Sequence, residues 1–267
     1  MPRSLWTGSL SFGLVNVPVS VVTAVRDLDL YFRQLHEKDA APIDVQRWCS
    51  KENIEVPFEE ITHSYELDDG HEVIVSDEEL EAIEPRITRT IEIEQFVDLA
   101  EVDPIYFDHP YFLLPAAAED GSKRAYQLLS EVMSGSERAA LGRFVMRSKE
   151  YLAIIRVRDG ALTLTTMLFA DEVRPTNDID AATEKSHQPS PREVDAAAAV
   201  IEELSTEWKP EKHKDCYRAR LQEVVERKRK GKTVKLPSEA QEPAPVPDLM
   251  AALERTLAEL KQGTGVS

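Results

Sequence analysis

Apolar residues recur at every second position near the start of the chain. Leu10, Phe12 and Leu14 define one side of an extended segment, and Val15, Val17, Val19 and Val21 continue at the same spacing, the period of a β-strand. Both faces are apolar, so the pattern predicts a strand covered on both sides. A second alternating block, "GRFVMRSKEYLAIIRVRDGALTLTTMLF" at 142–169, places Asp159-Gly160 between two alternating runs, the signature of a two-residue hairpin. Residues 1 to about 180 read mainly as strands and turns, with two short helices among them. Ser76 and Glu79 have capping-box spacing ahead of Leu80. Ala125, Leu128, Leu129, Val132 and Met133 fall at helical spacing.

After about residue 190 the period is helical. "SPREVDAAAAVIEELSTEW" places Ser190 as an N-cap, Pro191 at the first helical position and Glu193 as the second half of a capping box. Val194, Ala198, Ile201 and Trp208 form one apolar stripe, which Pro210 ends. A second helix carries Tyr217, Leu221, Val224 and Val225 on its packing face, has a basic end from Arg227 to Lys230, and stops at Gly231. "LPSEAQEPAPVP" is a semi-extended Pro-rich linker, after which Asp248 caps an amphipathic helix with Leu249, Leu253, Leu257 and Leu260. The expected organisation is a β-rich core over 1–185, a helical region over 190–235, the linker over 236–247 and a terminal helix over 248–262. No repeat of solenoid length occurs.

Composition changes this picture at three points. Gly13, Asn16 and Pro18 interrupt the first apolar run, and no window reaches the roughly 18 apolar residues of a membrane helix, so neither a secretion signal nor a membrane anchor is expected. Two cysteines, Cys49 and Cys216, are too few for a disulfide framework and fit a reducing cytoplasm. The net charge of −17 argues against a nucleic-acid partner, but its distribution argues the other way. Eleven basic residues face four acidic ones between Lys209 and Lys235, a local charge of +7 that leaves −24 for the rest of the chain. A second stretch, Lys123 to Arg158, has eight basic residues against three acidic.

Enzyme signatures are missing: there is no phosphate loop, dinucleotide-binding glycine triplet, nucleophile elbow or zincin helix. His36, Cys49, His63 and His71 lie in one region without the close spacing of a zinc site, so no metal is expected. The basic residues say more. By alternation Arg143 and Arg147 share one face of their strand, and Arg156 and Arg158 share one face of the next. Such a ridge of guanidinium groups is either a solvated face paired with acids or a track for a phosphate backbone, and spacing leaves both readings open. The density of "ERKRKGKTVK" exceeds what a helix C-terminus alone attracts.

The opening segment "LWTGSLSFGLVNVPVSV" closely resembles the first strands of the Ku family, in particular its compact bacterial members. "LYFRQLHEKD", "DEELEAIEP", "IEIEQFVDLAEVDPIYFDHPYFLLP", "YQLLSEVM", "LAIIRVRDGALTLTTMLFADEVR" and "DCYRARLQEVVERKRKGK" follow in the same order. The resemblance implies a mixed, β-rich fold: a Ku-like β-barrel core with a ring-forming arm, followed by C-terminal α-helices. It further implies a homodimer that encircles the ends of double-stranded DNA and recruits a multifunctional ATP-dependent DNA ligase for non-homologous end joining. No catalysis, cofactor or membrane is implied, and the location is the cytoplasm, on the nucleoid. Charge placement nominates Arg143, Arg147, Lys149, Arg156, Arg158, Arg86, Arg89 and Arg174 as DNA contacts. Arg227, Lys228, Arg229 and Lys230 are secondary DNA or partner contacts. Two features depart from the family pattern. Glu52 stands where many relatives complete a cysteine pair with Cys49, and the chain ends "LAELKQGTGVS" in place of a lysine-rich extension. The competing reading is a protein-only adaptor, a β-rich core with partner-docking helices and no DNA binding.

Overall fold

The computed structural model describes residues 3–83, 88–116, 120–178, 189–232 and 249–261. Arg86, the Pro-rich linker and the expected cap Asp248 lie outside the described residues. The chain divides into two compact units, one of residues 1–28 and 33–175, the other of residues 29–32 and 176–267.

The strands of the first unit, in chain order, are β1 (Trp6–Phe12), β2 (Val15–Thr23), β3 (Trp48–Cys49), β4 (Ile54–Glu55), β5 (His63–Glu66), β6 (Glu72–Val75), β7 (Thr90–Asp98), β8 (Phe107–Pro115), β9 (Arg138–Met146), β10 (Lys149–Arg158) and β11 (Ala161–Met167). Seven of them close a barrel in the order β1-β2-β8-β11-β10-β9-β7. Its neighbours are antiparallel except β1 and β7, which run parallel over three pairs, Ser9–Thr90, Leu10–Ile91 and Ser11–Glu92. Closure removes the unpaired edges that an open sheet would present. Residues opposite one another share a face, so the buried set Leu10, Val17, Val19, Val21, Ile91, Leu113, Phe144, Ala153, Ile155, Leu162 and Leu164 fills the interior.

One end of the barrel is covered by α2 (Asp120–Ser136), which follows α1 (Asp77–Ile83) in the chain and links β8 to β9. Tyr126, Leu129 and Met133 recur on one side of α2 and join the barrel core. The Tyr126 hydroxyl donates to the Leu113 carbonyl at 2.7 Å and accepts from the Leu162 N–H at 2.9 Å. A buried tyrosine thereby satisfies its polar tip while tying the helix to two strands.

The first apolar run is a hairpin, not the single extended segment its alternation suggests. Gly13 takes a φ of +59° between Phe12 and Val15, which pair across the turn. Leu14, expected on the same side as Leu10 and Phe12, sits fully exposed at the tip. Between β2 and β7 the chain makes an excursion, residues 24–89, whose described residues add no strand to the barrel and form the pairs β3–β4 and β5–β6, an isolated Leu35–Pro42 bridge, a 3-10 turn at Phe58–Glu60 and helix α1. The capping box of α1 is present: the Ser76 N–H donates to Glu79 Oε2 at 2.9 Å and the Glu79 N–H to Ser76 Oγ at 3.2 Å. No described residue of the excursion is buried.

The second unit contains α3 (Pro191–Leu204), α4 (Cys216–Arg229) and α5 (Leu249–Lys261). Ser190 and Glu193 form the expected capping box, with Pro191 in the first turn. The helix stops at Leu204, because the Ser205 hydroxyl bonds back to the Ile201 carbonyl at 2.8 Å and Ser205 itself is extended. Trp208 is therefore not part of the α3 stripe; its indole stacks on His213 with ring centroids 4.9 Å apart. α5 packs along α3, with Arg192 and Glu254 ion-paired at 2.8 Å. The face of α3 that is partly covered carries Ala196, Ala197 and Val200, whereas Val194 and Ile201 of the expected packing stripe stay open. Asp215 caps α4 through the Arg218 N–H. Gly231, at φ +68°, ends it, and the Lys232 N–H returns to the Arg227 carbonyl at 2.9 Å.

Candidate nucleic-acid interface

Three segments remote in sequence meet at the barrel end opposite α2. A groove of about 440 Å³ there is floored by Trp6 and Val145 and rimmed by Arg89, Arg147 and the hydroxyl residues Ser4, Thr7 and Ser148. Among the described residues, no acidic side chain lines it. Neither Arg89 nor Arg147 forms an ion pair with a described residue, and both are exposed. Two guanidinium groups beside hydroxyl donors, with no competing carboxylate among the described residues, suit phosphate oxygens.

Local backbone geometry holds this rim. The Ser9 N–H donates to the Arg89 carbonyl at 2.9 Å, and the Trp6 indole N–H donates to the Val145 carbonyl at 2.9 Å. A Cβ at Gly8 would collide with the Arg89 carbonyl oxygen and the Trp6 ring, so only glycine lets β1 approach so closely. Arg147 and Ser148 form the two-residue turn between Met146 and Lys149, at φ values of +54° and +61°. Arg89 is also left-handed, at φ +46°. Such conformations cost a non-glycine residue roughly 1–3 kcal/mol and concentrate at functional positions. Arg147 is thus in a turn, and the expectation that it shares a strand face with Arg143 is corrected.

The other nominated residues are distributed differently. Lys149 stands at the same barrel end, its ammonium 5.5 Å from the Tyr151 ring centroid. Near it, Asp108 is held below the usual carboxylate range by the His109 hydrogen bond, with burial opposing and Thr166 assisting. Arg143 lies on the outer wall, 3.0 Å from Glu94 and 3.4 Å from Glu150. Arg158 is 3.5 Å from Asp159, and Arg156 shares a shallow groove with Arg138, Asp98 and Glu137. Arg174 is exposed in the loop after β11. On α4, Arg227 pairs with Glu223 at 2.6 Å, and Arg229 and Lys230 approach Glu226 at 3.1 and 3.9 Å. Lys228 has no ion pair with a described residue. His36, His63 and His71 each lie beside a different carboxylate, of Asp39, Asp77 and Asp69. The groove hydroxyls of Ser4, Thr7 and Ser148 were not legible, because barrel closure brings them together and no local spacing does.

The closed barrel, helical cap and cationic rim define a β-barrel binding scaffold. Comparison with known proteins gives it a family. The family model described as the Ku70/Ku80 beta-barrel domain matches residues 11–196. A protein of Anaeromyxobacter sp. (strain K) named "Non-homologous end joining protein Ku" is 38% identical over 263 residues, covering 98% of this chain and 87% of that one. "Non-homologous end joining protein Ku 1" of Geotalea uraniireducens is 38% identical over 272 residues, with 97% and 98% covered. The protein of that name from Saccharopolyspora erythraea is 36% identical over 265 residues, with 99% and 81% covered. The chain belongs to the Ku family.

Proposed function

We propose that this chain binds the ends of double-stranded DNA as a ring-shaped homodimer in non-homologous end joining and recruits a multifunctional ATP-dependent DNA ligase there. Relatives named for that process, 34–40% identical over nearly the whole chain, support the process. The observation that carries the DNA contact is the groove holding Arg89 and Arg147, with no acid among its described lining residues. Phosphate contacts position a duplex without reading its bases, which suits broken ends of any sequence. The excursion 24–89 leaves β2 and rejoins β7 at the groove end of the barrel and buries no described residue. It is the candidate for the ring-forming arm. Arg89 and Arg147 make the primary contacts, with Lys149 beside them; Arg143 and Arg158, already engaged by acids, contribute less. The domain assignment is a DNA-encircling core over 1–185, with ligase recruitment by the helices beyond Ser190.

The test is topological. Protein is loaded on linear duplex, both ends are blocked with bulky caps, and excess competitor DNA is added. Retention after capping, together with poor binding to a closed circle, is the expected result. Rapid loss to competitor, or equal binding to circle and linear duplex, overturns the ring. No binding to either form favours the adaptor.

A further inference from the structure

The connection between α3 and α4 presents an aromatic platform set among cations. Trp208 is 73% exposed, yet its indole lies nearly parallel to the His213 imidazole, with 18° between the ring planes and centroids 4.9 Å apart. A 3-10 turn, Pro210–Lys212, brings the two rings together: the Lys212 N–H donates to the Lys209 carbonyl at 3.0 Å and the His213 N–H to the Pro210 carbonyl at 3.1 Å. His213 covers one face of the indole, and the exposure falls on the other. A large aromatic face held flat toward solvent suits a ligand that can stack on it.

The surrounding charges select that ligand. Between Trp208 and Arg220 there are five basic residues and two acidic ones. Of the acids, Asp215 is engaged in capping α4, its carboxylate accepting from the Arg218 N–H at 2.9 Å. Lys209 is answered by Glu207 at 2.9 Å, whereas Lys212 and Lys214 are exposed and form no ion pair with a described residue. Free ammonium groups repel a cationic ligand and attract an anionic one, while the indole asks for a planar one. A single nucleic-acid strand supplies both at every repeat. A duplex does not, because its bases are stacked on one another and only its phosphates are within reach.

We propose that the Trp208–His213 stack, with Lys212 and Lys214, binds single-stranded DNA, an unpaired base stacking on the open indole face and the lysines meeting the flanking phosphates. The site goes beyond the duplex contact of Arg89 and Arg147, since it takes the unpaired nucleotides that a broken end with an overhang carries. Every base has a π-face, so no sequence preference is required.

The experiment titrates the full-length protein into a labelled oligothymidylate and follows its anisotropy, with an abasic strand of equal length as the phosphate-only control and a blunt duplex alongside. The oligothymidylate should bind about tenfold tighter than the abasic strand. Trp208→Leu keeps apolar bulk but removes the flat face; it should erase that difference and leave affinity for blunt duplex unchanged, and Trp208→Phe should restore most of it. Replacing Lys212 and Lys214 by Ala should reduce the log–log salt slope for the single strand by roughly 1.4. Equal binding of both strands by the unmodified protein overturns the proposal, whatever the variants do. So does a Trp208→Leu chain that still distinguishes them, or one that loses blunt duplex to the same extent. Binding of an acidic, aromatic peptide without binding of oligothymidylate assigns the platform to a protein partner and overturns it as well. Failure of the unmodified protein to bind blunt duplex counts against the barrel groove and not against this site.

Discussion

Arg147 and Ser148 occupy a turn where the favoured residues are Asn-Gly, while the next hairpin of the same sheet uses the favoured Asp159-Gly160. Replacing Arg147-Ser148 by Asn-Gly should therefore raise barrel stability by about 1 kcal/mol in a denaturant titration, while weakening affinity for linear duplex several-fold. Arg143→Ala, which removes a guanidinium already shared between Glu94 and Glu150, should change that affinity less than twofold. Equal losses from both would show that the groove is not the DNA contact. Tyr126 gives a test of the scaffold. Tyr126→Phe leaves the Leu113 carbonyl and the Leu162 N–H without their hydroxyl partner, at a cost of about 2 kcal/mol or more. Burial raises the Tyr126 pKa above the ordinary 10.0. Its neutral form is thus favoured by folding, a contribution fully present below pH 10.0 and lost as pH rises through the folded value. The Phe variant should show a shallower alkaline decline. Among single residues, the capping pairs and Gly231 were legible because their partners lie within a few positions. The Arg89–Arg147 pairing was not, since it requires three segments to converge.

At the scale of elements, local signals carried the helices and one hairpin, and failed where competition was local too. Ser190 and Glu193 announce the start of α3 by their own hydrogen bonds, whereas its end is decided by the Ser205 hydroxyl turning back to Ile201. Periodicity alone would run the stripe on to Trp208. Likewise Gly13 breaks an apolar alternation that continues on both sides of it, so β1 and β2 read as one strand. The apolar face of α3 that meets α5 is built from alanines and Val200, and a hydrophobic ranking favours the larger Val194 and Ile201 on the open side. Ser190→Ala should destabilise the helical unit by about 1 kcal/mol. Thermal unfolding followed by far-ultraviolet circular dichroism should register the change in the helical signal and leave the barrel transition in place.

For the whole molecule, a net charge of −17 and affinity for a polyanion are compatible only if contact is confined to a small surface such as the Arg89–Arg147 groove, whose described lining residues carry no acid. If roughly 4 to 8 phosphates are neutralised, the log–log salt dependence of binding to duplex should have a slope near −4 to −7. A slope near zero in a fluorescence titration would remove the electrostatic mechanism. The barrel order was beyond sequence reasoning: its closing contact joins β1 to β7 across some eighty residues, with no spacing rule to announce it. The excursion between β2 and β7 supports a different test. Replacing residues 34–83 by a glycine–serine spacer should abolish retention on capped DNA while leaving the barrel's melting temperature nearly unchanged, because no described residue of that stretch is buried. The same independence has a consequence for descent. Insertions and deletions in the excursion are not screened by the demands of the core, so its length and outline can drift freely between lineages while the barrel sequence stays constrained. On the ring reading proposed above, the aperture could then change between lineages without cost to the barrel.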